Sequence, residues 1–111
     1  MFKSPRKSRP ASFAPPVAVQ RAAQRALDVR RELPPSRRGL TAIGLARARD
    51  LASGRRVSWA TIRRMRAYFA RHGVDKLAKN WAVGSRGWVA WHAWGGDPGE
   101  RWAASIFRRY G

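Results

Sequence analysis

Few residues in this chain could do chemistry. The acids are Asp28, Glu32, Asp50, Asp75, Asp97 and Glu100, and the histidines are His72 and His92. The most generous constellation joins His72, Asp75, His92, Asp97 and Glu100. A metal-dependent hydrolase needs two or three such side chains converging on one ion. Simpler roles account for the same residues. Asp97-Pro98-Gly99-Glu100 is a capping-box pattern, in which the Asp97 carboxylate accepts from the Glu100 N–H and Glu100 reaches back, with Pro98 at the favoured first position. His72 suits the last carbonyls of a helix, and Asp75 suits a neighbouring cation. No Gly-rich phosphate loop follows a strand, and no activated serine is visible. The chain has no cysteine, hence no thiolate ligand, thiol nucleophile or disulfide. The expectation is a non-enzymatic protein with no metal and no cofactor.

The other reactive chemistry is cationic. Lys and Arg number 24 against 6 Asp and Glu, a net charge of +18, and only Lys3, Lys7, Lys76 and Lys79 are not arginine. Guanidinium is always charged and forks onto two oxygens of a phosphate or carboxylate. A GC-rich genome would favour Arg over Lys, together with Ala, Gly and Pro, but it does not explain the shortage of acids. An unneutralised charge of this size opposes compaction, so a polyanion or an acidic partner is expected. The candidate contacts are Lys3, Arg6, Lys7 and Arg9 near the N-terminus, Arg37, Arg38, Arg55 and Arg56 in loops, and Arg63, Arg64 and Arg71 on a helix.

These side chains need elements to hold them. Residues 1–14 read as an extended basic arm, broken by Pro and free of acids, and 15–111 as one helical domain. The arm lacks the apolar run of a secretory signal. Its loose likeness to a transit peptide carries little weight, because its prolines interrupt any amphipathic helix. No apolar run approaches the roughly 18 residues of a membrane span, so no membrane partner is expected. A first helix is predicted over 16–33, with Val19, Ala22, Ala26, Val29 and Leu33 on its inner face and Pro34-Pro35 as its stop. A second runs over 41–53, with an exposed Arg47–Asp50 pair and Gly54 as a left-handed end. Ser58 caps a third, whose apolar face is Trp59, Ile62, Met65, Tyr68 and Phe69 and whose end is His72-Gly73. Residues 74–86 form an irregular connection. A short helix over 87–94 and a last one opening at Asp97 complete the chain. No alternating pattern marks a strand. The fold class is all-α, a compact bundle of about five short helices with a basic extended N-terminal arm.

Trp88, Trp91 and Trp94 recur every third residue and so line one side of a helix. Exposed aromatics could stack on single-stranded bases. A bundle rich in Ala and poor in Leu and Ile needs bulk, and each buried indole supplies roughly 150–250 Å². Core is therefore the expected role, with Trp88, Trp91 and Trp102 packed against Ile62, Met65 and Phe69. Trp81, in the connection beside Lys79, Asn80 and Arg86, is the possible ligand-contacting aromatic. The second and third helices, joined by Gly54-Arg55-Arg56-Val57, have the order of a helix-turn-helix. The outer face of the third is nearly pure Arg, which suits phosphates better than base edges.

Three runs carry a resemblance: Gly44-Leu-Ala-Arg-Ala-Arg-Asp-Leu-Ala-Ser-Gly54, Thr61-Ile-Arg-Arg-Met-Arg-Ala-Tyr-Phe-Ala-Arg-His72 and Ala90-Trp-His-Ala-Trp-Gly-Gly-Asp97. In this order they resemble a small helical module of tailed-bacteriophage proteins, which occurs alone or attached to head-maturation or protease-like polypeptides. Gly73 departs from it, standing where an acid often follows the His, and the segment between Asp75 and Trp88 is shorter. The resemblance implies a phage setting, in the virion or the host cytoplasm, and no mechanism. The expected function is that of a virion-head structural protein that binds DNA phosphates or an acidic capsid surface. The alternative is a free DNA-binding regulator built on the helix-turn-helix-like pair.

Overall fold

The computed structural model describes residues 8–111. It is all-α: α1 is Val17–Glu32, α2 Ala42–Ala52, α3 Trp59–His72, α4 Arg86–Ala93 and α5 Gly96–Tyr110. Short 3-10 segments, Pro35–Arg37 and Gly73–Leu77, follow α1 and α3. Lys3, Arg6 and Lys7 lie outside the described residues.

Local chemistry sets most boundaries. Leu33 is extended, as a residue before proline must be, and ends α1. The Thr41 hydroxyl accepts from the Gly44 N–H at 3.1 Å and starts α2. Gly54, at φ +76°, turns the chain out of α2. The Ser58 and Ser85 hydroxyls cap α3 and α4 in the same way as Thr41 caps α2. Two ends differ from expectation. Gly73 is not left-handed; at φ −56° it lets α3 tighten into the 3-10 segment, so the first part of the connection is ordered. The predicted capping box is absent, because α5 opens two residues earlier, at Gly96 and not Pro98, behind a left-handed Gly95. Asp97 then lies within the first turn and uses its carboxylate elsewhere.

In the packing, α1 lies against α2, α4 and α5, while α3 lies mainly on α5. The helix-turn-helix arrangement is not realised, since α2 and α3 do not pack along one another. The main core joins Val19 and Ala23 of α1, Leu51 of α2, Ile62, Met65, Tyr68 and Phe69 of α3, Trp91 of α4, and Ala103 and Ile106 of α5. A second cluster is alanine alone, Ala26, Ala48 and Ala93, flanked by Leu27 and Leu40. Methyl-sized side chains there let α1, α2 and α4 approach closely. The predicted inner face of α1 holds at Val19 and Ala26, but Ala23 is buried in place of Ala22, which is half-buried.

The indoles are mostly core. Trp91 is 2% exposed and meets Phe69 edge-on at 4.8 Å. Trp88 is buried outside the main cluster, stacked on His92 at 4.1 Å with Arg25 above it. Trp102 packs against the main core but is only half-buried, less covered than expected. Arg47, expected on the surface, has a side chain only 15% exposed and lies 3.6 Å from Asp50.

The largest departure concerns residues 8–14. Phe13 is 7% exposed and belongs to the main core, its backbone paired with Val57 in an isolated antiparallel bridge. Its N–H donates to Val57 O at 2.8 Å and its carbonyl accepts from Val57 N at 2.9 Å. The ring meets Trp59 and Tyr110. Sequence periodicity could not detect this, because a single Phe among prolines has no period.

Candidate phosphate-binding surface

The outward face of α3 carries Ala60, Arg63, Arg64, Ala67 and Arg71. At 100° per residue these lie opposite Ile62, Met65 and Phe69. Ala60 and Ala67 form the low floor between Arg63 and Arg64. Arg64 and Arg71 are two turns apart, roughly 10.5 Å along the axis. All three arginines are exposed and make no side-chain hydrogen bond or ion pair among the described residues. No acid shares that face. Arg37, in the turn after α1, is also exposed and unpaired among the described residues.

Other candidate cations are committed to the fold. Arg38 donates from Nε to Leu33 O at 2.8 Å and from Nη2 to Arg31 O at 2.8 Å, satisfying carbonyls at the end of α1. Arg56 donates to the Ser12 hydroxyl at 2.7 Å and to Ser12 O at 2.9 Å, clamping the segment beside Phe13. Arg9 lies over the Trp59 ring at 4.5 Å. Arg55 reaches Asp50 at 3.8 Å while staying largely exposed.

The acid and imidazole constellation is dispersed. His72 Nδ1 bonds Asp75 Oδ2 at 2.9 Å, so His72 holds a carboxylate and not the carbonyls of α3. His92 Nδ1 lies 2.8 Å from Trp88 O. Burial lowers the His92 pKa, keeping the ring neutral near pH 7. Asp97 Oδ1 accepts from Lys76 Nζ and from Trp91 Nε1, each at 2.8 Å. Those two donors, Lys76 first, hold the Asp97 carboxyl below its usual range. Glu100 is exposed. No three His, Asp or Glu side chains come together as metal ligands among the described residues.

A cleft opens beside this surface, between the end of α3, the start of α2 and α4. Its volume is about 510 Å³, and Arg38, Arg71, Arg86, Tyr68, His72 and Trp94 line it. Sequence reasoning missed Arg86, Tyr68 and Trp94. The one available signal was Gly44, a glycine inside a helix that marks a close approach. Trp81, singled out as the ligand-contacting indole, is half-buried, packs against the main core and leans on Gly87. Trp94, not Trp81, lines this cleft. Among the described residues no helix is long and apolar enough to cross a membrane. Compared with known proteins, the chain matches no family model, no curated protein and no solved structure.

Proposed function

We propose that this chain is a non-enzymatic protein that binds nucleic-acid phosphates, DNA foremost, without reading sequence. The observation that carries the reading is the α3 face, where Arg63, Arg64 and Arg71 stand exposed and, among the described residues, unpaired with no acid beside them. Flexible guanidinium groups on an alanine floor can adjust to a phosphate backbone, whereas base-edge readout needs a mixed polar face. The setting proposed is the virion head, on the likeness of residues 44–54, 61–72 and 90–97 to the phage module. There an acidic capsid surface is the competing partner.

Binding of random and AT-rich duplexes across a salt series tests this. Each phosphate contact contributes about −0.9 to the log–log slope on duplex DNA. Arg37, Arg63, Arg64 and Arg71 together give about −3.6, a loss of roughly a hundredfold between 50 and 200 mM salt. Arg64→Gln with Arg71→Gln should flatten the slope by about two units and weaken all sequences alike. A shallow slope with strong preference for one sequence would sink the reading. No duplex binding at low salt, with stoichiometric retention in purified particles, would transfer the surface to an acidic capsid partner.

A further inference from the structure

The cleft beside α3 has features that a plain phosphate surface does not need. Tyr68 stacks on His72 at 4.6 Å and on Trp94 at 5.0 Å, so its wall is a pile of rings. Trp94 is half-buried, which leaves part of the indole open. Arg71 and Arg86 line it, Arg38 adds charge, and no carboxylate among the described residues does. Helix α2 begins there at Thr41, contributing the positive end of its dipole. The Tyr68 hydroxyl is buried without a hydrogen-bond partner among the described residues, an unusual state for a native polar group.

The backbone of the opposite wall is strained. Leu40, which lines the cleft, has φ +85°, a left-handed conformation that a leucine seldom adopts. Gly39 precedes it, and a Cβ there would come within 3.3 Å of Arg86 Cγ. The loop is thus shaped to let Arg86 pass across Gly39 at the cleft rim. Strain of this kind persists where a binding surface requires a particular shape.

We propose that this cleft binds one unpaired nucleotide, its base against Trp94 and its phosphate between Arg71 and Arg86. The volume of about 510 Å³ lies within the range of roughly 300–1,000 Å³ typical of small-ligand sites. Guanidinium forks match phosphate oxygens, and an indole stacks on any base. A base inside a duplex has both faces covered and cannot enter without being flipped out. The occupant is therefore a free mononucleotide or the unpaired end of a strand. Inorganic phosphate would satisfy the arginines and leave the ring wall unused.

Titration calorimetry at low salt tests the site, with thymidine monophosphate, thymidine and inorganic phosphate as probes. Thymidine monophosphate should bind at least about tenfold more tightly than either part, because the wall and the rim act together. Arg86→Gln should weaken thymidine monophosphate about tenfold, as expected for loss of a charge-assisted bond, and leave thymidine unchanged. Trp94→Leu should weaken both. If its circular dichroism shows that it does not fold, Arg86→Gln carries the test. A duplex with a single-stranded overhang binding more tightly than a blunt one identifies a strand end. Equal binding of the two identifies a free nucleotide. Thymidine monophosphate binding no tighter than inorganic phosphate, or an Arg86→Gln protein that binds it normally, overturns the proposal. Steep salt dependence on duplex DNA without nucleotide binding overturns the cleft alone. Nucleotide binding without duplex binding supports the cleft and overturns the α3 surface alone.

Discussion

Trp91, Asp97 and Lys76 form a small polar knot on an otherwise apolar centre. The buried indole needs an acceptor for its N–H and finds Asp97, which Lys76 neutralises while lying 4.9 Å from the same ring. Trp91→Ala should cost about 3–5 kcal/mol in urea unfolding, since it empties the core. A barely destabilised variant that lost DNA binding would make the indole a contact and not a core residue. Two groups shape the pH dependence. Asp97 ionises more readily in the folded chain, so its contribution is present above the unfolded value of about 3.9 and is lost as pH falls through the depressed folded value. Asp97→Asn should flatten that acid limb. His92 resists protonation when folded, so stability should decline as pH drops below about 6.5, and His92→Gln should remove the decline. The sequence around Asp97 read as a capping box because Asp-Pro-x-Glu satisfies every local rule. What overrode it was non-local, a buried N–H six residues earlier that had no other acceptor.

Among the elements, caps were legible and partners were not. Ser58 and Gly54 each act through atoms within four residues, so one sequence suffices to place them. Gly73 was misread because glycine permits a left-handed stop without requiring one. The α2–α3 pairing was misread because adjacency in sequence does not choose which faces meet. Here the alanine junction draws α2 onto α1 and α4. The α4–α5 corner depends on real glycine requirements. At Gly95, φ is +111°, and a Cβ would sit 2.9 Å from Gly99 Cα. Gly95→Ala should therefore cost at least about 1–3 kcal/mol, read as a lower urea midpoint. An unchanged midpoint would mean that the corner can relax.

For the molecule as a whole, the charge imbalance was on view in the sequence, but its distribution was not. Arg9, Arg38 and Arg56 look like Arg63 and Arg64 until an indole, two carbonyls and a serine claim them. What remains exposed still repels itself. The screening length shortens from about 30 Å at 0.01 M salt to about 10 Å at 0.1 M. Melting temperature should therefore rise over that range in calorimetry, and rise further with an added polyanion. A melting temperature that falls with salt would show that attractive pairs outweigh the repulsion. Phe13 belongs to this scale too, because it ties a segment read as a free arm into the common core. Phe13→Ala should cost about 3–5 kcal/mol, whereas truncation before Ser12 should spare most of the stability.

The position of α1 has a consequence in time. Its partners include α4 and α5 as well as α2, so part of the core around Val19 and Ala23 is completed only by chain made much later. Gly96 follows Glu32 by 64 positions, which takes roughly 3–13 s at 5–20 residues per second of synthesis. Loops of that length close slowly, and distant pairings lower the folding rate even in a helical protein. Refolding followed by tryptophan fluorescence should accordingly be slower than in a bundle of equal size whose neighbours are sequential. A ribosome-held chain halted before Gly96 should be cut readily by protease within α1, and the released protein should resist.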